Sequence, residues 1–126
     1  MKMLLFIALF AGAANAVTYS TEIESSFQCN YDGNQQEMNA CALRDYKEAD
    51  TVLNETYKRT LAQLPASKQA ELRRQQKTWL KNRDPQCKDA AKQFDGGSMW
   101  PLQYFSCLKD ATEARNKVVA QWVREE

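Results

Sequence analysis

The chain has 126 residues, with 17 Lys and Arg against 16 Asp and Glu, four Cys and no His. That length holds one domain, and a near-neutral charge removes the electrostatic basis for binding nucleic acid or an anionic membrane. Without His there is no Ser-His-Asp triad, zincin or deaminase motif, so no catalytic residue, metal or cofactor is predicted and the chain is not expected to be an enzyme.

The first element is an address. Lys2 precedes the apolar run 3–11, and Ala14-Asn15-Ala16 has a small-x-small cleavage pattern. This is the layout of a secretory signal peptide over residues 1–16, with a run too short for a stable membrane anchor. Val17, not Cys, follows the cleavage point, which argues against lipid attachment. The mature part, 17–126, is predicted to be one periplasmic or secreted domain. Losing Lys2 leaves 16 basic against 16 acidic residues. Residues 17–33 lack a period and carry Glu22, Glu24 and Asp32, which reads as a loosely structured acidic arm.

Asn34 followed by Glu37 fits a helix N-cap with its capping-box partner. Ala42, Tyr46, Ala49, Leu53, Tyr57, Leu61 and Leu64 then recur every three or four residues, the stripe of an amphipathic helix ended by Pro65. Ser67 is placed to cap a second helix with the stripe Leu72, Gln76, Trp79, Arg83, Cys87, Ala90 and Phe94. Pro85 interrupts it, and Asp84 is predicted to cap a fresh segment there. Gly96-Gly97 is expected to end this helix. Pro101 suits the first turn of a third helix, whose stripe is Phe105, Leu108, Ala111 or Thr112, Arg115, Val118 or Val119, and Trp122. With no alternating run for a strand, the fold class is all-α: a small three- to four-helix antiparallel bundle.

An even number of cysteines in a small exported domain reads as two disulfides. Cys87 and Cys107 flank Gly96-Gly97 at similar distances and would meet across a helical hairpin. Cys29 and Cys41 would pin the arm to a helix start. The alternative, Cys41–Cys87 with Cys29–Cys107, has similar symmetry and stays open. No His or CxxC spacing is present to activate a thiol.

Three features bear on function. Gln76, Arg83 and Arg115 lie inside apolar stripes, with Asp50 and Asn54 beside Leu53. They are read as a partly buried hydrogen-bond network in which Asp50 meets an Arg between helices, in preference to an anion pocket. Residues 68–92 carry eight basic side chains, Lys77, Lys81, Lys88 and Lys92 among them, against three acidic ones. Such a face is ordinarily only solvated, and in the sharper reading it docks on an acidic partner cleft. Asp95-Gly96-Gly97-Ser98-Met99-Trp100 forms a hairpin tip, either core anchors or a preorganised loop that enters a partner.

Met38-Asn39-Ala40-Cys41, Asp50-Thr51-Val52-Leu53-Asn54 with Tyr57, Gln76-Lys77-Thr78-Trp79 leading to Arg83-Asp84-Pro85-Gln86-Cys87, Gly96-Gly97-Ser98, and Cys107 with Arg115 together resemble the LprI-type lysozyme-inhibitor domain family. The likeness spans nearly the whole mature chain. Its most specific pieces are Q-x-x-W-x-x-x-R-D-x-x-C and D-x-x-L-N. The resemblance implies a small exported helical domain that inhibits lysozyme-type muramidases, either a host lysozyme or a toxin delivered by a rival cell. The tip 96–100 would enter the glycan groove and Lys77 to Lys92 would face the catalytic carboxylates. A helical envelope scaffold with another partner is the alternative, and a homodimer stays open.

Overall fold

The computed structural model describes residues 28–124. The predicted signal peptide and most of the acidic arm lie outside the described residues. Three helices make up the fold: α1 (Gln35–Gln63), α2 (Ala66–Ala90) and α3 (Trp100–Gln121), with a 3-10 turn at Lys92–Phe94. They run up, down and up, so α2 is antiparallel to both neighbours and α1 lies parallel to α3. Asn39 Nδ2 donates to the Ser98 carbonyl at the start of both helices, and Leu53 meets Val119 near their far ends. The α1–α3 packing is the most extensive in the fold. The all-α bundle predicted from periodicity is the fold observed, and no strand is present among the described residues.

The capping box at Asn34 is complete. Its side chain accepts from the Glu37 amide at 2.9 Å, and Glu37 Oε1 accepts from the Asn34 amide at 3.2 Å. Two otherwise orphaned donors are thereby satisfied. Asn34→Ala is expected to destabilise the domain by about 1 kcal/mol, read as a shifted denaturation midpoint with an unchanged slope. Just upstream, the Tyr31 hydroxyl donates to the Asp45 carboxylate and ties the end of the arm to α1. Partial burial and that carboxylate push the Tyr31 pKa up to about 12.

The structure corrects several local expectations. Pro65, not Ser67, occupies the N-cap of α2, and no side chain caps it; Ser67 lies inside the first turn. Asp84 does not start a new segment, because α2 runs through Pro85 unbroken to Ala90. The side chains of Arg83 and Cys87 bracket the proline and are both buried, so packing on either side holds the helix together. That tertiary hold outweighs the missing amide donor. The helix ends at Ala90, before the glycines, and the buried residue there is Ala91, four beyond Cys87, while Ala90 is exposed. On α3, the alternatives resolve to Thr112 and Val119, both fully buried.

The core is divided. One cluster joins Leu43, Cys87, Ala91, Tyr104, Phe105 and Leu108 near the disulfides. A second joins Leu53, Leu64, Leu72 and Val119 at the opposite end. Between them lies a belt of polar side chains. The disulfides are Cys29–Cys41 and Cys87–Cys107, with Cα separations of 4.5 and 5.5 Å, which settles the pairing left open by sequence.

Candidate functional site

The belt centres on Arg83, which is 8% exposed. Its guanidinium reaches all three helices. Nε donates to Asp84 Oδ1 at 2.9 Å, Nη2 to the Tyr46 hydroxyl at 2.9 Å and Nη1 to Thr112 Oγ1 at 3.3 Å. Asp50 Oδ1 lies 3.5 Å from Nη1. A planar fork with five N–H groups can serve partners in several directions at once, which a lysine cannot. Burial works against the Arg83 charge, but the Asp84 hydrogen bond and the field of Tyr46, Asp84 and Asp50 outweigh it, and its pKa lies above the usual arginine value. Burial, with help from Asp50 and Asp84, raises the Tyr46 pKa against the opposing pull of Arg83.

Two turns back along α2 from Arg83, Arg115 Nε of α3 donates to the buried Gln76 Oε1 at 2.8 Å. The Trp79 ring serves both cations, with Arg83 5.2 Å and Arg115 5.9 Å from its centroid. Arg115 has no carboxylate beside it among the described residues, and burial lowers its pKa. Asn54 stands at the edge of this arrangement, exposed and 3.5 Å from Asp50 Oδ2. Asp50, Gln76, Arg83 and Arg115 thus fall in one belt, with Asn54 peripheral. Tyr46, Thr112 and Asp84 complete it. Sequence reasoning placed Tyr46 in the apolar stripe; its position four residues before Asp50 on the same helix face is the signal that could have found it.

The tip is held tightly. Gly96 has φ +75°, the left-handed region where a side chain is strained. The amides of Phe94, Asp95 and Gly97 each bond a carbonyl three residues back, and Ser98 is tethered to Asn39. Asp95 to Met99 are exposed. Trp100 is only half-buried: it stacks on Tyr104 with centroids 4.6 Å apart and packs against the disulfide-end cluster. Trp100 is therefore an anchor of the tip, and Met99 is its exposed apolar group. Lys77, Lys81 and Lys88 are exposed along one flank of α2, and Lys92 follows in the 3-10 turn.

Among the described residues no group of His, Cys, Asp and Glu is arranged to hold a metal, and no helix is long and apolar enough to cross a membrane. No solved structure matches the chain. A relative from Rhizobium meliloti (strain 1021), described only as an uncharacterized protein, is 32% identical over 100 residues, covering 69% of this chain and 72% of that one. The family described as Lysozyme inhibitor LprI matches over residues 28–118, from the first disulfide arm nearly to the end of α3. The chain belongs to the lysozyme inhibitor LprI family.

Proposed function

We propose that the protein is exported by removal of residues 1–16 and acts outside the cytosol as an inhibitor that occludes the glycan groove of a lysozyme-like muramidase. A toxin of that fold, delivered by a rival cell, is the favoured target, which makes the protein an immunity factor. Host lysozymes are strongly basic, and a neutral inhibitor has no long-range attraction to them. The observation that carries the reading is the family match over 28–118. Two surface features support it. The tip 95–100 has little ordering entropy left to lose on docking. The lysines of α2 offer positive charge to a cleft that must contain catalytic carboxylates.

The signature residues Gln76, Trp79, Arg83, Asp84 and Cys87 belong to the belt and the disulfide, so variants aimed at binding are best placed outside them. Met99→Asp and the pair Lys81→Glu with Lys88→Glu are each expected to weaken inhibition about tenfold or more, with an unchanged melting temperature. Raised salt is expected to weaken the wild-type complex but not the lysine variant. The decisive assay mixes the disulfide-intact protein with a panel of muramidases and follows cell-wall lysis. Absence of inhibition and of any complex across the panel overturns the proposal and favours a scaffold role.

A further inference from the structure

A groove of about 400 Å³ runs along α2, next to the lysine stripe but lined by none of its lysines, and is bounded by Arg115 of α3. Gln75, Trp79, Asn82 and Gln86 are spaced four, three and four residues apart, which aligns them on one side of the helix. Thr78 and Arg74 complete the wall. The volume lies within the range of small-molecule sites, about 300–1,000 Å³.

The chemistry of this wall is selective. It holds three primary amides, a hydroxyl, an indole and two guanidiniums, and none of its lining residues is a carboxylate. Gln75 approaches Glu71 at 3.5 Å, and the Thr78 hydroxyl donates to the Arg74 carbonyl at 3.2 Å. The side chains of Asn82 and Gln86 bond nothing among the described residues, and neither Arg74 nor Arg115 has an ion-pair partner there. Arg115 commits Nε to Gln76, while its Nη2 is buried without an acceptor. Nη2 itself is closed to solvent, so a ligand in the groove meets the positive charge of Arg115 and not this donor, and Arg74 supplies the exposed guanidinium.

The geometry points to a binding site for a sugar that carries a carboxylate. The indole of Trp79 offers an apolar ring to the C–H face of a pyranose, the amides pair as donors and acceptors with hydroxyl or acetamido groups, and Arg74 with Arg115 takes the carboxylate. The site is separate from the tip and the lysine stripe and does not depend on muramidase inhibition. An acidic peptide would use the guanidiniums alone and leave the indole and three amides without a role.

Titration of the isotope-labelled, disulfide-intact protein with N-acetylmuramic acid, glucuronic acid and N-acetylglucosamine tests the assignment. The indole N–H resonance of Trp79 is identified with Trp79→Phe. Saturable shifts confined to Gln75, Trp79, Asn82, Gln86 and their neighbours are expected for a sugar acid, with the neutral sugar about tenfold weaker or worse. Arg74→Gln and, separately, Asn82→Ala are expected to weaken the acid several-fold without changing the melting temperature, since both side chains are exposed. Preference for N-acetylmuramic acid assigns the ligand to the cell wall; preference for glucuronic acid assigns it to a uronate polymer. No shift with either acid at millimolar concentration, equal affinity for the neutral sugar, or tighter binding of a glutamate-rich peptide overturns the site.

Discussion

Arg83→Ala is expected to lower the stability of the domain by about 3 kcal/mol, a large share of the total for a protein of this size. The reasoning turns on which partners are left stranded. Asp50 and Asp84 are 39% and 48% exposed as side chains, so water can replace the guanidinium there, and their loss contributes little. Thr112 is fully buried and the Tyr46 hydroxyl is half-buried; both lose a charged donor that water cannot readily replace. The arginine stem also fills space between the two apolar clusters, and its removal leaves a cavity. Arg83→Met separates these contributions. It restores most of the volume and none of the hydrogen bonds, so a loss well below that of the alanine variant assigns the effect to packing. Equal losses assign it to the stranded hydroxyls. Chemical denaturation measures both, and a loss under about 1 kcal/mol for the alanine variant refutes the view that Arg83 holds the belt together.

Removing the second disulfide by Cys87→Ser with Cys107→Ser is expected to have a comparable effect. Its cysteines are 20 residues apart, and the loss of that constraint on the unfolded chain corresponds to about 3 kcal/mol. At roughly 4–8 °C per kcal/mol for a domain of this size, the melting temperature falls by more than about 10 °C. Cys87 is also fully buried in the cluster with Ala91, Tyr104 and Phe105, so a serine there adds an unpaired hydroxyl to an apolar site. The bond closes the loop that carries the tip, so tip amides are expected to exchange hydrogen faster in the double variant than in wild type. Under the proposed function, inhibition then falls more than global stability alone accounts for. A melting temperature within a few degrees of wild type excludes this disulfide as a principal stabiliser. The Cys29–Cys41 bond spans only 12 residues and ties down the arm, so its removal is expected to loosen the start of α1 and to reach the tip only through the Asn39–Ser98 hydrogen bond, with a smaller rise in tip exchange than the Cys87–Cys107 double variant shows.

The polar belt gives a structural role to the residues that carry the resemblance to the family. Gln76, Trp79, Arg83 and Asp84 interlock α2 with Tyr46 and Asp50 of α1 and with Thr112 and Arg115 of α3. A slide of one helix turn would pair Arg83 with an apolar cluster at either end. A buried directional network of this kind penalises that slip more than an all-apolar core does.

Sequence by itself determined the parts of this protein that depend on local chemistry. The Asn34–Glu37 box, the stop before Pro65, the start of α3 around Pro101 and the three amphipathic stripes each arise from backbone and side-chain preferences within a few residues. The even cysteine count narrowed the pairing to a few choices. Tertiary structure decided the rest, because the deciding forces act between segments far apart in the chain. Packing on both sides of Pro85 kept α2 whole where local rules ended it. Burial against α3 selected Ala91 over Ala90, and burial against the other helices selected Thr112 and Val119. Stacking on Tyr104 made Trp100 an anchor of the tip. Only the meeting of α2 with α3 placed Arg115 beside Trp79 and formed the groove along Gln75, Asn82 and Gln86, whose amides carry no mark in the sequence that separates them from an ordinary solvated face.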